Sequence, residues 1–233
     1  NTSTRETLSF LGAGCAPHHI PAVCDEVNSR SEFLTAYAGE PYEDHGRFQA
    51  LFEYESLMAE LLNMDVVNVP VYDGFQATGT ALRMAGRITG RHVALLPATL
   101  MPDKLSMVRG YIKPDMIVEI VPFDPSTGLM DLKALRQQIS ARTAAVFIEN
   151  PSYLGFLETQ AEEIGRMARE NGAIFVVGVD PISLGVINPP AEYGGDIVCG
   201  DIQSLGIHMN YGGGQAGFIA SRDEEKFVNE FPS

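Results

Sequence analysis

Asp180 stands directly after the apolar run Ala173–Val179 and just before Pro181. A carboxylate at such a strand end can pair with a protonated ring nitrogen of a cofactor such as pyridoxal phosphate, or simply accept backbone hydrogen bonds in a turn. The segment Tyr72-Asp73-Gly74-Phe75-Gln76-Ala77-Thr78 leads straight into a helical pattern. Its free backbone N–H groups and positive dipole end make it a candidate phosphate cradle, with Tyr72, Gly74 and Gln76 as the residues in reach. The plainer alternative is a capped surface helix in which Gly74 serves the turn. Tyr211-Gly212-Gly213-Gly214 is the most glycine-rich stretch, suited to backbone approaching a ligand or a second chain, or to turns before a final strand. Asn150 follows another apolar run, in the segment Glu149–Tyr153.

Other groups carry less. Gly12-Ala13-Gly14 begins like a dinucleotide fingerprint but lacks the strand before it, the third glycine and the helix after it. His18, His19 and His45 have no Cys or carboxylate partners at metal-ligand spacing, so no metal is expected. No Gly-x-Ser-x-Gly elbow is present. Cys15, Cys24 and Cys199 are sparse and odd in number, which suits a reducing compartment and a cytoplasmic location better than a disulfide framework.

These candidates sit at the ends of elements that alternate along the chain. A helix is expected over about Arg47–Asn63, where Phe48, Leu51, Phe52, Leu57, Met58, Leu61 and Leu62 recur at three- and four-residue steps and predict one buried face. A short β-like run, Val66–Val69, precedes a helix capped by Asp73 and running to about Ile88. Strands at 92–96, 116–121, 144–148 and 173–179 are separated by helices over Pro102–Tyr111, Asp131–Ile139 and a segment capped by Thr159 and ending at Asn171-Gly172. Ile197–Cys199 and Phe218–Ala220 complete the set. Continuously apolar strands alternating with helices predict an α/β domain, a mainly parallel sheet sandwiched by helices. Ligands of such sheets bind beyond the carboxyl ends of the strands, which is where the candidate residues fall.

Composition bounds the function. The 233 residues include 16 Lys plus Arg against 30 Asp plus Glu, a formal charge of −14, and 45% are apolar. The apolar share is that of a globular protein. Nucleic acid and anionic membrane surfaces are disfavoured as partners because both need clustered cations. No apolar run reaches the roughly 18–20 residues of a membrane span. Residues 1–45 read as an irregular leader packed on the core, and 46–233 as the α/β domain, with no repeat or linker dividing them.

Longer stretches carry a resemblance. Ser9-Phe10-Leu11-Gly12-Ala13-Gly14 with His18-His19-Ile20-Pro21-Ala22-Val23, then Ser29–Tyr37, then Gln49–Glu55 with Glu60–Val66 and Tyr72-Asp73-Gly74, closely resemble the amino-terminal subunit (subunit 1, or α) of the glycine-cleavage P protein, the decarboxylating glycine dehydrogenase. The similarity continues through Ile148-Glu149-Asn150-Pro151, Asp180-Pro181 and Ser204-Leu205-Gly206. It implies the large domain of a fold-type-I pyridoxal-phosphate enzyme, in a chain that lacks an amino-terminal extension and a small carboxyl-terminal domain. It implies that pyridoxal phosphate serves as electron sink while glycine loses CO2, and that the aminomethyl group passes to the lipoyl arm of the H protein.

Such chemistry needs a Schiff-base lysine. The four lysines are Lys104, Lys113, Lys133 and Lys226, and the segment Gln203–Asn210, before the glycine-rich stretch, holds none of them. The expected placements are a helix start for Lys104, a position before a proline for Lys113, a helix for Lys133 and the chain end for Lys226, none of which suits a cofactor anchor. The resemblance implies that a homologous subunit 2 supplies the lysine and that this chain alone is inactive, with no catalytic residue of its own. Its contacts to the cofactor would come from Tyr72, Gly74, Gln76, Asn150, Asp180, Tyr211, Gly212 and Gly213. Two alternatives stay open at this point: a non-catalytic scaffold or docking subunit of the same complex, and an independent aminotransferase-like enzyme.

Overall fold

The computed structural model describes residues 14–31 and 45–232. The resemblance-bearing residues 9–13 and 32–37, and most of the expected leader, lie outside them. Within the described part, helix α1 (Ala22–Asn28) is followed by α2 (His45–Leu62), β1 (Val66–Val67), α3 (Gly74–Thr89), β2 (Val93–Pro97), α4 (Pro102–Tyr111) and β3 (Ile117–Val121). Then come α5 (Leu132–Gln138), β4 (Thr143–Glu149), α6 (Ala161–Glu170), β5 (Ile174–Gly178), β6 (Ile197–Asp201), β7 (Gly217–Ser221) and α7 (Glu225–Val228).

The seven strands form one sheet in the order β1-β7-β6-β5-β4-β2-β3. Strands β2 to β6 pair in parallel, and β7 runs antiparallel to both β6 and β1. Central strands β2, β4 and β5 are buried on both faces, which explains their unbroken apolar runs. One face packs on α3 and α4 through Ala77, Ala81, Ala85, Val108 and Ile112. The other packs on α6 through Ile164, Met167 and Ala168. The expected architecture is therefore the observed one, with an antiparallel closing strand added.

Local chemistry explains the ends of the helices that matter. Asp73 caps α3, its Oδ1 accepting the Gln76 N–H at 2.6 Å. Gly90 ends α3 at φ 66°, a left-handed turn that an L side chain strains. Pro102 fits the first position of α4, where no N–H is missed.

Two expectations differ. Thr159 does not cap α6, because the helix begins two residues later, after Gln160, whose side chain makes no capping bond. Helix α2 buries a narrower face than its apolar pattern predicts. Met58 and Leu62 are buried, whereas Phe52 is 63% and Leu57 71% exposed. On a helix advancing ~100° per residue, those two exposed residues flank the buried line on opposite sides, so the apolar arc is wider than the single contact it makes.

Candidate functional site

The carboxyl ends of the parallel strands, the start of α3 and the described start of the chain enclose a cleft of about 260 Å³. Its floor is Lys104. Three residues into α4, this side chain reaches across the strand ends and donates from Nζ to Glu149 Oε1 at 2.7 Å. Both partners are withdrawn from solvent, at 8% and 15% side-chain exposure. The ammonium also lies 5.4 Å from the Phe147 ring centre and 5.9 Å from that of Phe75, in cation–π range. Burial lowers the Lys104 pKa, but the neighbouring charges, Glu149 first and Asp201 among them, outweigh it and leave the amine above its ordinary value. Beside it Cys199, bonded to Thr78 Oγ1 at 3.7 Å, is pushed by burial up to about 11.

The wall opposite is Asp201, at the end of β6. Its Oδ2 accepts the Gly74 N–H at 2.8 Å, and its Oδ1 accepts those of Gln203 at 2.8 Å and Ala216 at 3.3 Å. Burial raises its pKa against these hydrogen bonds. Gly74 suits this approach, because a Cβ would meet the Asp201 Cβ at 3.0 Å and the Gly200 backbone at 3.1 Å, closer than ordinary contact. Gln203 clamps the start of the described chain: its Oε1 accepts the Ala16 N–H and its Nε2 donates to the Ala16 carbonyl, each at 3.1 Å.

The candidate residues divide. Gly74 and Asp180 line the cleft. Asp180 is exposed, and its Oδ1 accepts the Ile182 N–H at 3.1 Å and the Ser204 hydroxyl at 2.7 Å, which is the turn role weighed against ring pairing. Gln76 Oε1 accepts the Tyr72 N–H at 3.0 Å, bracing the loop into α3, while Tyr72 itself stands out into solvent. Asn150 is buried below the cleft, its Oδ1 accepting the Glu158 N–H at 3.2 Å. Tyr211, Gly212 and Gly213 form an exposed turn that does not line the cleft. Sequence reasoning missed Lys104 and Asp201. A strand-end carboxylate two residues past Cys199 was the available signal for Asp201. Nothing local marks Lys104, whose burial depends on how α4 packs. Among the described residues no group of three or more His, Cys, Asp or Glu side chains could hold a metal, and no helix is long and apolar enough to cross a membrane.

A family model described as the glycine cleavage system P-protein matches residues 1–233. The chain belongs to that family. It is 44% identical over 230 residues to a probable glycine dehydrogenase (decarboxylating) subunit 1 of Staphylothermus marinus, covering 97% of this chain and 49% of the relative. A protein of the same description from Thermococcus kodakarensis is 41% identical over 236 residues, covering 100% and 51%. The chain thus spans about half the length of the curated P-protein relatives it matches. In three dimensions it is similar to a crystal structure of glycine decarboxylase (P-protein) in inhibitor-bound form, with a TM-score of 0.88, 36% identity, and coverage of 97% and 50%. A methionine gamma lyase from Micromonospora echinospora, CalE6, shares only the fold, with a TM-score of 0.60, 19% identity, and coverage of 77% and 46%. The P-protein family and the fold-type-I large domain expected from the sequence are therefore both found.

Proposed function

We propose that the chain is part of subunit 1 of a glycine-decarboxylating P protein. It works with a homologous, lysine-bearing subunit 2, which holds pyridoxal phosphate, and passes the aminomethyl group of glycine to the lipoyl arm of an H protein in the cytoplasm. When bound, the cofactor supplies an electron sink for decarboxylation. The observation that carries this reading is the state of the lysine in the cleft. An imine needs a neutral amine, and Lys104 is held as an ammonium against Glu149.

The chain's own cleft does not fit pyridoxal phosphate. A phosphate at the start of α3 would need free N–H groups and a cation. The Gly74 N–H is given to Asp201, the Gln76 N–H to Asp73, and the one lysine in the cleft to Glu149. On this reading Tyr72, Tyr211, Gly212 and Gly213, exposed on the carboxyl edge, meet the partner's site. Gln76, Asn150 and Asp180 hold the loops that present them, and Gly74 allows α3 to close on Asp201.

Mixing the full-length chain with its partner subunit tests the proposal through glycine-dependent exchange of CO2. Exchange should require both chains; a partner equally active alone refutes it. The scaffold reading is supported by the internal satisfaction of the cleft, and substitution of Tyr72, Asn150 and Asp180 separates the two. Loss of turnover in an intact complex favours a contribution to the site, and unchanged turnover favours the scaffold. An independent aminotransferase-like enzyme would need a neutral amine in this cleft, and Lys104 does not supply one.

A further inference from the structure

Asp201 and Lys104 occupy the cleft in the manner of a ligand. The start of α3 is a positive dipole end with unsatisfied N–H groups, a place that ordinarily receives an anion. Here the anion is built in: the Asp201 carboxylate accepts the first N–H of the helix, from Gly74, at 2.8 Å, and is fixed from behind by the N–H groups of Gln203 and Ala216. The approach is close, since a Cβ at position 74 would stand 3.0 Å from the Asp201 Cβ. Among the described residues the only cation lining the cleft is likewise consumed, since Lys104 Nζ meets Glu149 at 2.7 Å within cation–π reach of Phe75 and Phe147. Counting Lys104, Glu149, Asp180 and Asp201, the described lining carries one positive against three negative side chains.

We infer that Asp201, with the Lys104–Glu149 pair, acts as an internal ligand that closes this cleft to phosphate-bearing molecules, a barrier to a phosphorylated cofactor separate from the want of a Schiff-base lysine. The inference rests on the reading that the cofactor sits on the partner, and it adds the residues that enforce that division. A phosphate entering the cleft would meet the Asp201 carboxylate, with the Gly74 and Gln76 N–H groups already given to Asp201 and Asp73.

The test uses the full-length chain and two probes without an aldehyde, deoxypyridoxine and deoxypyridoxine phosphate, so that exposed lysines cannot react. Calorimetric titration of the parent should show that the phosphate confers no gain in affinity. Asp201→Ser, which removes the charge and leaves Gly74 and Gln203 N–H groups open, should tighten the phosphorylated probe by about tenfold while leaving the other within about twofold, as expected for one unit charge withdrawn near an anion in a partly wet cleft. Asp201→Asn keeps the shape and an acceptor, guards against a folding failure, and should give a smaller gain in the same direction. Adding Glu149→Gln to Asp201→Ser frees the Lys104 ammonium and should tighten the phosphorylated probe again. The inference is overturned if the parent already prefers the phosphorylated probe by about tenfold or more, or if neither Asp201 variant gains. A double variant no better than Asp201→Ser removes the ion pair from the account. None of these readouts depends on glycine turnover, so a failure here is distinct from a failure of the two-subunit proposal.

Discussion

Lys104 and Glu149 join α4 to the end of β4 by a 2.7 Å ion pair at the bottom of the carboxyl-edge cleft. The pair ties together two elements 45 residues apart in sequence. It also fixes the protonation state of the cleft's one lysine, so a single contact is both a fold element and a chemical constraint.

Breaking this pair should be costly, and replacing it should not. Lys104→Met leaves a buried carboxylate unpaired and is expected to lower unfolding free energy by about 3–5 kcal/mol. Lys104→Met with Glu149→Leu replaces both charges by apolar groups and should recover most of that loss. Urea denaturation of the four proteins of the cycle measures the coupling. A double variant as unstable as the single would show that packing, not charge, is at stake.

Alkaline pH should destabilise the fold through Cys199. Its thiol is favoured in the folded state, with a pKa pushed up to about 11 by burial from an ordinary 9.0. The folded chain therefore holds the proton more tightly than the unfolded chain. The stabilisation is whole below 9.0 and is lost as pH rises through about 11. Lys104, also raised, adds a loss of the same sign at high pH. Cys199→Ala should flatten the decline between those limits, by on the order of 2 kcal/mol. Thermal melts across the range supply the comparison. In the same window the folded chain should resist iodoacetamide at Cys199 and react first at the half-buried Cys24.

Asp73 is expected to act as a cap and no more in the isolated chain. Asp73→Ala removes the acceptor of the Gln76 N–H and should cost about 1 kcal/mol, whereas Asp73→Asn should keep most of the stability. Denaturant midpoints of the two variants decide it. Equal losses would mean that the charge, not the hydrogen bond, holds the start of α3.

The frame of the molecule was legible because its signals are local. Apolar runs such as Ala144–Ile148, the cap at Asp73 and the stop at Asn171-Gly172 each rest on a few neighbouring residues, and each stands where the pattern puts it. The strand-end rule also located the cleft, through Gly74 and Asp180. Its chemistry was less legible. Lys104 looks like an ordinary solvent-facing residue in the first turn of a helix. Helical side chains lean toward the amino terminus, however, and in the assembled sheet that direction leads to Glu149. Asp201 was hidden by two residues of strand, Gly200 and Asp201 itself, that carry no β-type side chain yet continue the pairing with Phe218 and Gly217.

Helix α2 provides the remaining contrast between pattern and packing. Periodicity alone assigns Phe52 and Met58 to one buried stripe, yet Phe52 is 63% exposed and Met58 only 4%. The difference follows from geometry, since a helix presents only part of an apolar arc this wide to a single neighbouring surface. Met58 packs with Leu62 and Phe218 in the cluster beneath β7, so Met58→Ala should cost about 2–5 kcal/mol. Phe52→Ser should change the stability of the isolated chain by less than about 0.5 kcal/mol, because it removes little buried area. Chemical denaturation of both variants separates the two accounts. A large loss for Phe52→Ser would mean that the flank of α2 is covered in the isolated chain, and a small loss for Met58→Ala would move the core contact of this helix elsewhere.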